Sequence, residues 1–333
     1  MLKVPIVDLH EDISIYFMTH GGGLALAHLS EDVEEREADL PKYRRGNVRI
    51  VFAAMFPGVE TYRAHRELPA VSFRLPQGLV FEHFSIYFRL AEVHPEISMI
   101  ERAEEAEKCL NGEWRVCLLL HLEGADAIDD PYDLVLFKRL GLRSLGITWN
   151  YSNKYGTGCF ARRDRGLSDE GEELVRTANK LGIIIDLAHA SKATALDVLN
   201  LSSKPPIISH ANPRKLVDTP RNVDDEVLEA LASRKGVIGI TALPHLVSKK
   251  DKPFLDDLVQ HFVYVKEVYG ADVLAIGTDF FGFLGRRPPK GFESIDKIEA
   301  LLFKLAERGF SDNELAKVAY ENALRVIKAN LDE

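Results

Sequence analysis

The sequence lacks three features that would each point to a particular class of protein. No apolar stretch reaches the roughly 18 residues of a membrane span. The net charge is −9 at pH 7 with scattered acidic residues, so there is no basic face of the kind that nucleic-acid binding requires. The first predicted strand begins at Val4, which leaves no room for a signal peptide. These absences predict a protein with no membrane segment and no nucleic-acid partner, located in the cytoplasm.

Cysteine is also scarce, with only Cys109, Cys117 and Cys159 in the chain. The number is odd and no two cysteines have C-x-x-C spacing, so the sequence indicates neither a disulfide framework nor a zinc knuckle. A chain without expected disulfides fits a reducing compartment, which again favours the cytoplasm.

The sequence does contain a repeated alternation of apolar, strand-like runs and helical stretches. Its 333 residues are many for an ordinary domain but normal for an α/β barrel with insertions. Eight strands are predicted, at 4–9, 48–56, 115–122, 142–148, 183–187, 206–209, 236–243 and 273–278. The alternation predicts a (β/α)8 TIM barrel, formed as a single domain by residues 1–333 with C-terminal helices packed on it. A doubly wound open sheet is the alternative, but no glycine-rich phosphate loop follows the first strand.

Polar residues stand at the ends of several predicted strands. In the segment Asp8-Leu9-His10-Glu11-Asp12, alternation along an extended strand points Asp8, His10 and Asp12 to one face. An imidazole with two carboxylates suits zinc or a similar divalent ion. Four later strands end in the same way, at Glu123, His189, His210 and Asp279. Because the carboxyl ends of barrel strands converge on one face, these residues are expected to meet in one site.

The set is large enough for two metal ions, which need about three protein ligands each and a bridging carboxylate. The predicted ligands are His10 and Asp12 for one ion, His189 and His210 for the other, and Glu123 as the bridge. Two ions can hold a bridging hydroxide as nucleophile beside a polarised carbonyl oxygen. Asp279 is then predicted to be the general acid–base, taking a proton from water and delivering it to a leaving amine.

These motifs resemble the membrane (renal) dipeptidase family of zinc peptidases, a branch of the amidohydrolase-like barrels, over nearly the whole chain. The matching segments are 8–12, 122–124, 182–191, 209–210, 221–223 and 277–282. The resemblance implies a barrel of the metal-dependent hydrolase type and a dipeptidase with two zinc ions bound as above, in which Glu123 and Asp279 are catalytic. It also implies that Arg221 grips the free carboxylate of the dipeptide, which a guanidinium can do with two hydrogen bonds.

The chain departs from the family pattern after its fourth predicted strand. The family carries a histidine there that polarises the scissile carbonyl, whereas this chain has Trp149. An indole has one N–H donor and cannot carry the charge of an imidazolium. We therefore expect either that Trp149 contacts the substrate as an apolar wall and favours bulky apolar residues, or that a loop residue such as Asn150 or Asn153 supplies the missing hydrogen bond. The alternative is that Trp149 turns into the barrel wall and a neighbour takes the role of the histidine.

Two other functions are open at this stage. A metal-dependent hydrolase of another amide or of a lactone would keep the same ligands without a pocket for the dipeptide carboxylate. A weakly active or inactive paralogue used for binding would tolerate the loss of the histidine, although the retention of Asp279 argues against it. A homodimer, the native metal and the preferred substrate side chains are open as well.

Overall fold

The computed structural model describes residues 4–19, 22–58 and 76–331, and a closed ring of parallel strands lies at its centre. The strands are β1 (Ile6–Glu11), β2 (Val48–Met55), β3 (Ile97–Met99), β4 (Val116–Leu122), β5 (Leu142–Gly146), β6 (Ile184–Asp186), β7 (Ile207–Ala211), β8 (Val237–Ile240) and β9 (Leu274–Ile276). The ring runs β2-β1-β9-β8-β7-β6-β5-β4, and β2 pairs with β4 to close it. This closure confirms the predicted (β/α)8 barrel and rules out an open sheet.

The eight ring strands coincide with the eight predicted ones, because each is a short apolar run that is buried in the structure. Strand β4, with the sequence V-C-L-L-L-H-L, is buried along its whole length, as expected for a parallel strand covered on both faces. Strand β3 is not predicted by the sequence. It has three residues and, in the described part of the chain, pairs with β4 alone.

Helices separate successive strands along the chain. They are α1 (Ile13–Thr19), α2 (Leu40–Arg45), α3 (Pro76–Val93), α4 (Ala103–Asn111), α5 (Leu134–Arg139), α6 (Asp169–Leu181), α7 (Lys192–Leu201), α8 (Asp225–Ser233), α9 (Pro244–Val247), α10 (Leu255–Tyr269), α11 (Ile298–Glu307), α12 (Asp312–Ala316) and α13 (Asn322–Leu331). None of these described helices combines the length and the apolar character that crossing a membrane requires.

Local sequence signals fix where the helices beside the site begin and end. The Ser168 hydroxyl accepts a hydrogen bond from the backbone N–H of Gly171, and Ser191 caps α7 in the same way. Gly182 ends α6 in the left-handed conformation, with φ of 70°. These caps set the points at which the chain re-enters the barrel as β6 and leaves it again after His189.

The structure corrects the expectation drawn from the cysteines. Cys109 at the end of α4 and Cys117 in β4 form a disulfide, with 6.4 Å between their Cα atoms. Counting cysteines misses this pair because the total is odd; the third cysteine, the half-buried Cys159, lies outside the disulfide. The cysteine content therefore no longer supports a reducing compartment. Disulfides persist in oxidising compartments and also inside cells of hyperthermophiles.

Candidate metal centre

The polar strand-end residues come together at one end of the barrel. His10 lies in β1, Asp12 directly after it and Glu123 directly after β4, while His210 lies in β7. His189 and Asp279 each follow their strand by three residues. All six side chains are buried. Parallel strands place their carboxyl ends on one edge, which explains how residues up to 269 positions apart in the chain meet.

Glu123 occupies the middle of this cluster. Its Oε1 atom lies 2.8 Å from His189 Nε2, 3.5 Å from His210 Nε2 and 3.9 Å from His10 Nε2. One carboxylate oxygen thus faces a histidine from each of three strands or strand ends. The position fits the predicted bridge between two ions.

A second group of ligand-type atoms gathers around His10. Its Nε2 atom lies 3.4 Å from Asp12 Oδ2 and 4.0 Å from Asp279 Oδ1, and the ligand atoms of the three residues all lie within 4.8 Å of one another. A further group of this kind contains His10, Glu123 and His210. The sequence analysis assigns no metal to Asp279. Its Oδ1 atom nevertheless lies about as far from His10 Nε2 as the Oε1 atom of Glu123, the predicted bridge, does.

The backbone turns sharply where two of these side chains enter the cluster. His189 and Asp279 have φ angles of 67° and 66°, a left-handed conformation that costs free energy in residues other than glycine. The Asp279 N–H donates to the His10 carbonyl at 3.0 Å, which ties the end of β9 to β1. Gly282 follows closely: a Cβ atom there would lie 2.3 Å from Asp279 Oδ1 and 2.4 Å from Asp12 Oδ2.

Hydrogen bonds show which ring nitrogens face the cluster. His189 Nδ1 donates to Asn150 Oδ1 at 2.8 Å, and His210 Nδ1 lies 2.8 Å from Ser209 Oγ. In neutral rings, both Nε2 atoms then carry lone pairs, and they face each other at 3.0 Å. Two lone pairs at this distance repel each other unless a donor or a cation satisfies them. The side-chain oxygen of Asn150 thus binds a predicted metal ligand, whereas the hydrogen bond that we expect Asn150 to give the substrate would come from its side-chain N–H groups.

The electrostatics of the cluster fit a divalent cation. Burial disfavours the charged form of His10, but Glu123, Asp12 and Asp279 outweigh it and raise the pKa of His10 to about 10. Burial also raises the pKa of Asp279 to about 7 and that of Glu123 well above its usual range. Among the described residues, neither ring nitrogen of His10 has a hydrogen-bond partner. A divalent cation would offset the cost of burying these carboxylates and give the imidazole nitrogen a partner.

Arg221 lies beside this cluster and is buried. One of its Nη atoms donates to the His210 carbonyl at 2.9 Å and to His189 Nε2 at 3.0 Å. The lone pair of His189 Nε2 can accept from Arg221 or bind an ion, but not both. Binding of an ion to His189 would therefore release a guanidinium N–H at the edge of the site.

Trp149 forms an aromatic wall together with Phe56 and Tyr151. Its ring centroid lies 5.5 Å from that of His189, 5.1 Å from Phe56 and 6.5 Å from Tyr151. The indole is buried and packs beside a predicted metal ligand. The structure thus places Trp149 next to the cluster, where the sequence expects contact with substrate.

Two other buried polar residues, Asp8 and His121, lie against the residues of the cluster. The sequence analysis does not predict this supporting role for either of them. Asp8, expected on the same face as His10, accepts from the Thr278 hydroxyl at 2.5 Å and from the Thr278 N–H at 2.9 Å. His121 lies edge-on to His10, with 5.4 Å between the ring centroids. The one sequence feature that could have indicated this role is that both polar residues interrupt apolar strands.

Dipeptidases and a metallopeptidase of known structure are similar to this chain over nearly its whole length. An uncharacterised dipeptidase of Schizosaccharomyces pombe is 29% identical, over 98% of this chain and 81% of that protein. Dipeptidase aclJ of Aspergillus oryzae is 28% identical, over 98% of this chain and 78% of that protein. The fold matches that of a metallopeptidase from Rhodobacter sphaeroides liganded with a phosphinate mimic of the dipeptide L-Ala-D-Ala, with a TM-score of 0.86, 22% identity and coverage of 98% and 99% of the two chains.

The chain also matches a whole family. Residues 1–332 match the sequence model of the family described as membrane dipeptidase, peptidase family M19. The match spans every strand of the barrel, so all the strand ends that carry the cluster lie inside it. This chain therefore belongs to the membrane dipeptidase family and is a hydrolase of the metallopeptidase class.

Proposed function

We propose that this protein is a zinc-dependent dipeptidase that cleaves the peptide bond of a dipeptide with two metal ions. The observation that carries the proposal is the convergence of Glu123 Oε1, His189 Nε2 and His210 Nε2, all within 3.5 Å of one another. Three lone-pair donors that are buried and face each other at these distances call for a cation. The family membership gives the reaction class for which the cations would be used.

The residues that would hold the ions follow from their positions in the cluster. His10 and Asp12 would ligate one ion, His189 and His210 the other, and Glu123 both. When bound, two zinc ions would supply Lewis acidity, which polarises a carbonyl and lowers the pKa of water. The protein contributes fixed ligands and a site from which bulk water is largely excluded.

Asp279 would carry out the proton transfers. Its Oδ1 atom lies 4.0 Å from His10 Nε2, beside the side chains that would hold the ions, so this carboxyl group is close enough to exchange a proton with a water molecule at the site. It would accept the proton of the attacking water and deliver it to the nitrogen of the leaving amino acid. Arg221, whose guanidinium lies within 3.0 Å of His189 Nε2, would bind the substrate carboxylate once an ion occupies that nitrogen.

One observation favours a second candidate, hydrolysis of a different amide or of a lactone. Trp149 packs beside His189 at the position where the family's carbonyl-polarising histidine is expected. Without a charged donor there, a peptide carbonyl is polarised less, whereas a more reactive carbonyl needs less help. The aromatic wall of Phe56, Trp149 and Tyr151 would suit an apolar group on either kind of substrate.

The test is to strip the protein of metal, reload it with zinc and assay a matched substrate panel. Dipeptides of L,L and L,D configuration should be hydrolysed, and the same dipeptides with an amidated C-terminus should react much more slowly. Metal analysis should find more than one ion per chain, with a lower content in the shape-matched variant Glu123→Gln. Turnover of lactones or N-acyl amino acids without turnover of dipeptides would favour the second candidate, and failure to bind any divalent metal would overturn both.

A further inference from the structure

A hydrogen-bonded chain runs from Asp186 through Ser209 to His210 beneath the cluster. Ser209 Oγ donates to Asp186 Oδ2 at 2.6 Å, and the same hydroxyl oxygen lies 2.8 Å from His210 Nδ1. All three side chains are buried. A carboxylate can only accept, so the hydroxyl proton points to Asp186 and the hydroxyl oxygen must accept from His210 Nδ1–H. The Nε2 atom of a neutral His210 is thereby left with its lone pair.

Asp186 is itself held in place by several donors. Its Oδ1 atom accepts from the N–H groups of Ala188 and Ser209, at 2.9 and 2.8 Å. His121 Nε2 lies 3.3 Å from Oδ2. Burial alone would raise the pKa of Asp186, but the neighbouring His121 and hydrogen bonds from Ser209 and Ala188 keep it below its usual value. Asp186 therefore places a fixed negative charge at the end of the hydrogen-bonded series that leads to His210.

The other histidine of the cluster is held differently. His189 Nδ1 donates to a neutral amide oxygen, that of Asn150, without an intervening hydroxyl. A ring whose Nδ1–H is hydrogen-bonded toward a carboxylate becomes the more basic ligand at Nε2. The two histidines that flank Glu123 thus differ in the groups behind them, and the carboxylate acts on His210.

We propose that Asp186 and Ser209 are positioning residues that fix His210 with Nε2 toward a metal ion and strengthen it as a ligand. The inference rests on the proposed metal centre and goes beyond it, because it assigns a part in metal binding to two residues that touch neither metal nor substrate. Removing such partners of a metal-bound histidine typically lowers metal affinity about 10–100-fold. The loss is expected in one of two binding steps, that of the ion held by His210.

The experiment compares Ser209→Ala and Asp186→Asn with the parent and with Ser202→Ala. Ser202 is also buried, and its hydroxyl lies within hydrogen-bond distance of Asn179 and of the Lys204 carbonyl, away from the cluster. Zinc affinity is measured by competition with a chromophoric chelator, and the visible spectrum of bound cobalt reports the ligand environment. Ser209→Ala and Asp186→Asn should each weaken one binding step about 10–100-fold and shift the cobalt spectrum, while Ser202→Ala matches the parent.

The outcomes separate this inference from the proposed function. If the parent binds zinc but both variants match it in affinity and spectrum, the positioning role is wrong and the metal centre stands. If Ser202→Ala weakens binding as much as Ser209→Ala, the effect is a general loss of stability, which also overturns the inference. If the parent binds neither zinc nor cobalt, both proposals fail. Ser209→Ala and Asp186→Asn are separate variants that interrupt the same hydrogen-bonded series, so the test remains valid if one of them does not fold.

Discussion

At the scale of single residues, Trp149 is the position where this site departs most from its family. The indole lies beside His189, so a histidine introduced there would reach the same space with a protonatable donor. We expect Trp149→His to raise kcat for dipeptides, by up to about 10²–10³-fold if it restores a missing donor to the developing oxyanion. The measurement is kcat at matched zinc content.

Tyr151→His is the matched control for Trp149→His. It adds the same imidazole to the same aromatic wall, at a ring whose centroid lies 6.5 Å from that of Trp149, and should raise kcat much less than Trp149→His does. An unchanged kcat in Trp149→His with the metal content intact would mean that position 149 does not contact the reacting carbonyl. An equal rise in both variants would point to a general effect of the added base.

Gly282 gives a second prediction, based on space rather than charge. A methyl group there would come within 2.4 Å of both Asp12 Oδ2 and Asp279 Oδ1, so one or both carboxylates must move. We expect Gly282→Ala to lower zinc affinity by about 10–100-fold, as displaced ligands or ligand supports do. Gly78→Ala is the control because a Cβ atom there meets no atom within 4 Å. Parent-like zinc binding in Gly282→Ala would show that the carboxylates adjust at little cost.

The sequence places the residues of the cluster well because strand ends are visible in it. His10, Glu123 and Asp279 follow apolar runs, and barrel geometry then brings them to one face. The groups behind them are not predictable in this way. Asp186 and Ser209 are 23 residues apart and meet only because β6 and β7 are paired in one particular register. Residue types and spacing along the chain do not specify that register.

At the scale of secondary-structure elements, the disulfide between α4 and β4 yields a stability prediction. A cross-link that closes a loop of 8 residues is expected to stabilise the fold by roughly 2–3 kcal/mol through restriction of the unfolded chain. The double variant Cys109→Ala/Cys117→Ala should lose about that free energy of unfolding, measured with denaturant. Reductant should destabilise the parent and have no further effect on the double variant.

Cys159→Ala is the control for the disulfide, since Cys159 is the cysteine that lies outside it. It should keep both the stability and the sensitivity to reductant of the parent. If the stability of the parent does not change once the disulfide has been fully reduced, the cross-link contributes little.

The limits of prediction at this scale have a similar cause. Long apolar runs such as β4 are recognisable because both of their faces are buried. Strand β3 is too short to show a pattern, and the cysteine pair joins a helix end to a strand start across a turn that residue counts do not describe. Patterns within one element are therefore readable in the sequence, whereas contacts between elements are not.

At the scale of the whole molecule, buried neutral histidines make stability depend on pH. Burial lowers the pKa of His261 to about 4, although its Nε2–H donates to the Val247 carbonyl. Between pH 6.5 and 4 the unfolded chain binds a proton at this position that the folded chain does not, so stability must fall as the pH falls through that window. The full effect of one such group is at most about 3 kcal/mol.

His261→Gln tests this linkage because its amide can still donate to Val247. The free energy of unfolding of the variant should fall less steeply than that of the parent between pH 6.5 and 4. The comparison cancels the contribution of the histidines in the cluster, which both proteins share. Parallel curves would mean that folding does not lower the pKa of His261.

Removal of metal should act on the stability of the whole barrel, because the cluster joins β1, β4, β7 and the ends of β6 and β9. Without cations, Asp12, Glu123 and Asp279 are buried close together, and burial raises the pKa of Glu123 and Asp279. An ion that binds only the folded chain adds about 2.7 kcal/mol when its concentration is 100 times its dissociation constant. Chelator-treated protein should therefore unfold several degrees below zinc-loaded protein.

Glu123→Gln separates this effect from a general response to zinc. The variant keeps the shape of the bridge but not its charge, so added zinc should raise its unfolding temperature much less than that of the parent. Because one repulsive carboxylate is gone, its metal-free form should also be at least as stable as the metal-free parent. The two predictions together distinguish a metal centre from a merely polar core: a polar core would lose stability in Glu123→Gln and gain none from zinc.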